Sequence, residues 1–348
     1  MQPFSWQSAR SVLAAASLAN RTVAEAMVAD KNSTTPDCIV LKAGGIDLLD
    51  LMKEGLLRPS RVVNLRDVPG LGAISEDGAG LRIGALVTLE QIAGDATIRR
   101  RYTALADAAG SSASPQIRHV ATLGGNLLQR PRCWYFRSAA HNCARKGGDL
   151  CFAFVGENQY HAMFGQAGCA MVHPSTIATA LLAFDARVEL VDADGSARVV
   201  RFADFVVRPG TDIRRETDLR RGEVLTGIVL PTVGTGTHSV FLKQAEKPSF
   251  DWSIADVAVV LDLAPDHRCQ HVCVVLGAAA PTPWRAEKAE TVLTGQAIDA
   301  GIARAAGEAA IADATPLRHN AYKLPILATL VRRAVLRAAG MSEQELDQ

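Results

Sequence analysis

The sequence predicts an α+β protein of two or three domains, on three observations. Short apolar runs of strand length alternate with helical patterns up to Pro231; the Gly- and Thr-rich segment 232–237 reads as an interdomain linker; beyond it, strands come first and Ala-rich helices last. A chain of 348 residues with 48% hydrophobic and 21% charged residues can bury the cores this requires. Lys plus Arg is 37 against 36 for Asp plus Glu, a net charge of +1, so no overall field attracts nucleic acid or an anionic membrane. The longest late apolar run, Leu324 to Leu336, is broken by Arg332 and Arg333, so no stretch approaches the roughly 18 apolar residues of a membrane span.

From the start, Val12 to Ala19 is apolar but short and continues into the mixed pattern Asn20 to Glu25, which predicts one amphipathic helix and no clear targeting signal. The turn formers at 31–37 separate it from a strand, Cys38 to Leu41. Next comes Lys42-Ala43-Gly44-Gly45-Ile46-Asp47-Leu48-Leu49. Two glycines between a strand and a helix (Leu48 to Glu54) can turn backbone N–H groups toward a diphosphate at the helix N-terminus. An ordinary Gly-rich turn accounts for the same residues, and the Gly-x-Gly-x-x-Gly fingerprint is absent. Strand-like runs at Val62 to Leu65 and Leu81 to Ile83 flank a Gly/Asp-rich hairpin, and Thr88 and Ala104 open helices. Gly110-Ser111-Ser112-Ala113-Ser114-Pro115-Gln116 then leads within ten residues to Thr122 and Gly124-Gly125-Asn126, a second nest of donors. Two such nests can clamp one long anionic cofactor.

Immediately afterwards the chain spaces Cys133, Cys143, Cys151 and Cys169 as Cys-x9-Cys-x7-Cys-x17-Cys, in a segment rich in Gly, Asn, Arg and aromatics rather than periodic apolar positions. That is the pattern of a ligand loop. Structural zinc sites use Cys-x(2–4)-Cys knuckles, which are absent; widely spaced single cysteines favour a 4Fe–4S cluster, with zinc and a structural role remaining open. Cys38, Cys269 and Cys273 lie in apolar runs and read as buried free thiols. His119, His161 and His173 cluster around the loop, where hydrogen-bonded structural roles are the commoner fate of such residues.

The first Gly-Gly turn, the segment Ile117-Arg118-His119-Val120-Ala121-Thr122-Leu123-Gly124-Gly125-Asn126 and the later Pro281-x-Pro-Trp284-Arg285-Ala286 together resemble the FAD-binding subunits of molybdenum hydroxylases, over roughly residues 35 to 340. The cysteine insertion resembles the periplasmic aldehyde oxidoreductase branch, whose flavin subunit carries an additional 4Fe–4S cluster. The resemblance implies a two-subdomain FAD-binding fold like that of vanillyl-alcohol oxidase, followed by a smaller α+β C-terminal domain. The expected partition is 1–60, 61–232 with the insertion at about 130–170, and 238–340.

By that resemblance Lys42, Ala43, Gly44, Gly45, Ile46, Asp47, Leu48 and Leu49 wrap the FAD pyrophosphate. Thr122, Gly125, Asn126, Leu128 and Gln129 line the opposite side with Ser112, Ser114 and His119 beside them. Ser175, Thr176, Leu225 and Lys243 complete the flavin site, and the four loop cysteines hold the cluster. Two positions depart from the family: Thr176 stands where Asp is usual, and Ile46 where Thr is usual. Implied partners are a molybdopterin-binding large subunit and a 2Fe–2S small subunit, with electrons passing through this chain to an external acceptor. Synthesis is expected in the cytoplasm, with a periplasmic destination if a partner carries the signal. The rival readings are a stand-alone FAD oxidase and a zinc-loop binding module without flavin.

Overall fold

The computed structural model describes residues 1–29, 38–78, 80–247 and 250–341. The turn-former run 31–37 lies outside the described residues. The first sheet is parallel, with strands β1 (Ser5–Ser8), β2 (Ile39–Lys42) and β3 (Arg61–Asn64) in the order β1-β3-β2. Its central strand, β3, begins at Arg61, so the sheet runs past the expected boundary at residue 60. Strand β1 had no apolar signature, because all four of its residues are exposed and only backbone pairing to β3 defines it.

The single helix expected over 12–25 is two, Val12–Leu18 and Val23–Ala29. Three polar side chains break it. Asn20 Oδ1 accepts the Ile39 N–H at 2.9 Å, and Thr22 with Glu25 forms a reciprocal cap that starts a new helix.

A five-stranded sheet follows: β4 (Ile74–Asp77), β5 (Gly80–Gly84), β6 (Arg187–Val191), β7 (Ala197–Arg201) and β8 (Val224–Pro231), in the order β4-β5-β8-β6-β7. The hairpin expected near residue 77 pairs β4 with β5, so the Leu81 to Ile83 run is one of its strands rather than its flank. Helices Leu89–Gly94, Thr103–Gly110 and Thr176–Ala183 cover this sheet, the first opened by a complete Thr88/Gln91 capping box.

The last sheet is antiparallel, β12-β11-β10-β9, from β9 (Thr237–Gln244), β10 (Ala255–Leu263), β11 (Cys269–Gly277) and β12 (Trp284–Arg285). Along β10 the side chains alternate between two cores. Ala258 and Val260 join the core under the five-stranded sheet, whereas Val257, Val259 and Leu261 pack against helices Glu287–Leu293, Ala300–Ala310 and Lys323–Ala338. Burial on both faces explains why the strand reads as a continuous apolar run. No helix among the described residues is long and apolar enough to cross a membrane.

Candidate functional site

A pocket of about 520 Å³, within the range of cofactor sites, opens where both glycine turns meet. Strand β2 delivers the first turn and helix Ile46–Lys53 carries the chain away. Gly45 sits at φ +91°, a left-handed conformation that favours glycine. Gly44 is demanded by contact: a Cβ there would lie 2.2 Å from the Val120 carbonyl oxygen, so the first turn rests directly on the loop that carries the second. In that second turn Thr122 Oγ1 accepts the Gly125 N–H at 3.2 Å, and Gly124 N–H donates to the Ala85 carbonyl at 2.8 Å.

Hydroxyls and amides fill the side between the turns. Ser112 and Thr176 face each other at 2.7 Å, and each also reaches the Ala108 carbonyl. Thr176, the departure from the usual Asp, therefore closes a neutral hydroxyl pair. Ser175 donates to Asn126 Oδ1 at 2.5 Å, and Gln129 Nε2 donates to the Asn126 carbonyl at 2.9 Å. Between Ser112 and Ser114, Ala113 is held at φ +46°. Arg118 secures this unusual backbone by donating to the Ser112 and Ala113 carbonyls while pairing with Glu90.

Lys42, Ala43, Gly44, Gly45, Ile46, Asp47 and Leu48 all line the pocket. So do Ser112, Ser114, Thr122, Gly125, Asn126, Leu128, Gln129, Thr176 and Leu225. Ile46, the other departure, offers the pocket an apolar side chain. Four expected residues stand outside the lining. Leu49 packs into the core beneath the helix, and His119 is exposed with Nδ1 against the Pro115 carbonyl. Ser175 is a buried helix cap, and Lys243 ties β9 to the Ser111 and Asp251 carbonyls. Asp47 lines the pocket, but its carboxylate is engaged by the Arg130 N–H at 2.8 Å and by Arg132 and Arg137. It anchors the start of the cysteine segment to the helix after the first turn.

Several lining residues carried no sequence signal. Arg21 and Thr22 come from the interhelical break; Arg132 stacks over Trp252, 4.9 Å from the ring centroid; Glu216 arrives from an Arg-rich loop that reads as solvated charge.

The four loop cysteines share one small void of about 20 Å³, lined also by Arg145, Phe136 and Met171. Cys133, Cys143 and Cys151 each sit immediately before a short helical turn, Trp134–Arg137, Ala144–Lys146 and Phe152–Phe154 respectively. Backbone N–H groups therefore point at sulfur: those of Tyr135 and Phe136 at Cys133, Ala153 and Ala170 at Cys151, and Met171 at Cys169. Burial pushes the Cys133 thiol up to about 11. Cys169 is instead lowered, chiefly because Cys151 donates to it and then because of the Arg145 guanidinium; Cys151 is raised by the same hydrogen bond. None of the four forms a disulfide. Among the described residues no three His, Cys, Asp or Glu side chains are arranged to hold a single metal ion, although all four cysteines border the same void.

His161 Nε2 lies 3.2 Å from Cys133 Sγ, and His173 is buried with Nδ1 accepting the Ser175 N–H. Burial lowers both to about 4, so both are neutral near pH 7. Cys38, Cys269 and Cys273 are buried in three different apolar cores, as their sequence context suggests.

Two family models match in succession: the FAD binding domain in molybdopterin dehydrogenase over residues 3–233, and the CO dehydrogenase flavoprotein C-terminal domain over residues 240–338. The chain is 36% identical over 302 residues to the aldehyde oxidoreductase FAD-binding subunit PaoB of Escherichia coli K12, covering 85% of this chain and 90% of that one. It is 29% identical to the carbon monoxide dehydrogenase medium chain of Afipia carboxidovorans, covering 85% and 87%. Its fold matches the carbon monoxide dehydrogenase of Hydrogenophaga pseudoflava solved without the Mo-pyranopterin moiety, with a TM-score of 0.70, 26% identity and coverage of 98% and 99%. The chain thus belongs to the family of FAD-binding subunits of molybdenum hydroxylases, the flavoprotein subunits of molybdenum-dependent oxidoreductases.

Proposed function

We propose that this chain is the electron-transfer subunit of a molybdenum hydroxylase complex that oxidises an aldehyde or N-heterocycle, carrying FAD in the glycine-turn pocket and a 4Fe–4S cluster on Cys133, Cys143, Cys151 and Cys169. Electrons reach it from partner iron–sulfur centres and leave to an external acceptor. The observation that carries this reading is the adjacency of two differently built sites: a pocket walled by two touching glycine turns, and a void bordered by four cysteines, with Arg130 and Glu216 on the pocket wall and Arg145 on the void.

The residues fit both groups. Gly44 and Gly45 let the first turn close against the Val120 carbonyl and the Lys42 side chain, the helix Ile46–Lys53 presents its N-terminus, and Lys42 adds a cation at the same turn. Together these suit a pyrophosphate. Ser112, Asn126 and Thr176 supply uncharged hydrogen-bonding groups for the rest of the cofactor. Around the cysteines, several backbone N–H groups and one guanidinium aim at sulfur, a donor set suited to thiolates that share a cluster. The void itself is small, because Cys151 and Cys169 hydrogen-bond across it, so the donor set rather than the volume supports the cluster. When bound, FAD supplies exchange between two-electron and one-electron steps, and a 4Fe–4S cluster supplies one-electron transfer.

The expected partners are a molybdopterin-binding large subunit and a 2Fe–2S small subunit, in keeping with relatives named medium chain or medium subunit. Chemistry on the organic substrate belongs to the large subunit in this reading. The thiols suit synthesis in a reducing cytoplasm, with final location set by whether a partner carries an export signal. The test is rapid mixing with aldehyde substrate: the assembled complex bleaches its flavin absorbance and the isolated chain does not. Substrate turnover by the isolated chain would overturn the subunit reading.

A further inference from the structure

Between the pocket and the cysteine void runs a buried network that neither site accounts for. Glu216 holds Arg130 with one carboxylate oxygen and Arg145 with the other, the latter at 2.6 Å. Both guanidinium groups are 2% exposed. Backbone carbonyls fix them further: Arg130 donates to Arg214 and Arg145 to Arg215. Arg145 Nε points at Cys169 Sγ, 3.4 Å away, and the side chain lines the void.

The charges in this network do not balance. Two guanidinium groups share one carboxylate, and Nε and Nη2 of Arg130 and Nη2 of Arg145 are buried with no hydrogen-bond partner. Buried cationic donors without partners are costly, so they persist where an anion completes them. For Arg145, which lines the void, an iron–sulfur cluster bound by four thiolates is such an anion, and reduction makes it more negative. A charged N–H donor on a ligating sulfur stabilises the reduced state and raises the reduction potential.

We propose that Arg145, locked in place by Glu216, raises the reduction potential of the cluster through Cys169, and that Glu216 is the positioning residue that sets this hydrogen bond. The proposal rests on the reading that the four cysteines hold a 4Fe–4S cluster. The experiment compares the wild-type complex with Arg145→Gln and Arg145→Lys, measuring iron and acid-labile sulfide and then the cluster midpoint in a dye-mediated titration followed by electron paramagnetic resonance. In Arg145→Gln, iron is retained and the reduction equilibrium falls at least tenfold, 59 mV for a one-electron couple. Arg145→Lys recovers part of the shift, and the flavin midpoint is unchanged.

Retained iron with an unmoved midpoint overturns the proposal. Wild-type complex with no iron beyond that of its 2Fe–2S subunit overturns the cluster reading and this one with it. If Arg145→Gln does not keep its iron, wild-type complex grown with guanidino-¹⁵N arginine decides: a ¹⁵N coupling on the reduced cluster in spin-echo spectra supports the contact, and its absence overturns it.

Discussion

The glycine-turn pocket and the cysteine void are neighbours built on opposite principles. The pocket is shaped by backbone: a left-handed Gly45, a Gly44 with no space for a Cβ, and the starts of helices Ile46–Lys53 and Leu123–Leu127. The void is shaped by side chains on a segment with few regular elements, held down by Arg132 and Arg137 on Asp47 and Asp50 and by the Arg130–Glu216–Arg145 network. A backbone-built site is vulnerable at few positions and tolerant elsewhere. A side-chain-built site concentrates its stability in buried charge.

That contrast sets the order of expected effects. Glu216→Gln weakens the grip on two buried guanidinium groups and is expected to destabilise the protein by about 3–5 kcal/mol, the scale for breaking a buried pair, as measured by urea unfolding of the isolated subunit. A loss below about 1 kcal/mol would show that the network is not structural. Next, Gly44→Ala pushes a methyl group into the Val120 carbonyl, at a cost of about 3 kcal/mol with loss of bound flavin; Gly72→Ala, with no atom within 4 Å, changes stability by no more than about 0.5 kcal/mol. Flavin released by acid from the two variants measures the difference, and equal flavin content would remove the special role of the first turn.

A smaller effect concerns His173, buried beside the Ser175 cap and lowered to about 4. Its folded value lies below its unfolded value near 6.5, so the unfolded chain takes up the proton first. Its contribution is intact above about 6.5 and is lost as pH falls toward 4. Asp256, raised by burial to about 6, works in the opposite sense, since its contribution is present at low pH and lost as pH rises through 6. The difference between wild type and His173→Gln isolates the histidine. Between about pH 7 and pH 5 wild type should lose on the order of 1 kcal/mol more than the variant, read from urea midpoints. Parallel curves would mean that His173 takes up its proton equally in the folded and unfolded chain. The smallest change is expected for Asp50→Asn, whose half-exposed carboxylate pairs with Arg132 and Arg137: under about 1 kcal/mol, diminishing with added salt.

The same contrast explains what could be read from the amino acids. Glycine turns announce themselves locally, since Gly44, Gly45 and the run Thr122 to Asn126 bring their own neighbours; all of these but the core residue Leu123 do line the pocket. The four cysteines announce a ligand loop by type and spacing, and they do border one void. Arg130 and Glu216 meet across 86 residues of chain with no periodicity to link them, and the run Arg214-Arg215-Glu216 looks like solvated charge until the fold buries its carboxylate. Strand β1 was invisible because its register is written in backbone hydrogen bonds under four exposed side chains. His119 and Lys243 fell near the pocket in motif but outside its lining, because a helix cap and a strand pairing each set a side chain's direction independently of its neighbours' roles.

The proposed function rests on both the pocket and the cysteine void, and the content of the void is the most direct test. Iron, acid-labile sulfide, zinc and flavin are measured on one anaerobic preparation of wild type, Cys151→Ser and Cys269→Ser. About four irons and four sulfides per flavin beyond those of the 2Fe–2S subunit in wild type and in Cys269→Ser, with those four lost from Cys151→Ser while flavin stays, is the predicted result. Zinc in place of iron, or full iron and sulfide in Cys151→Ser, would contradict it.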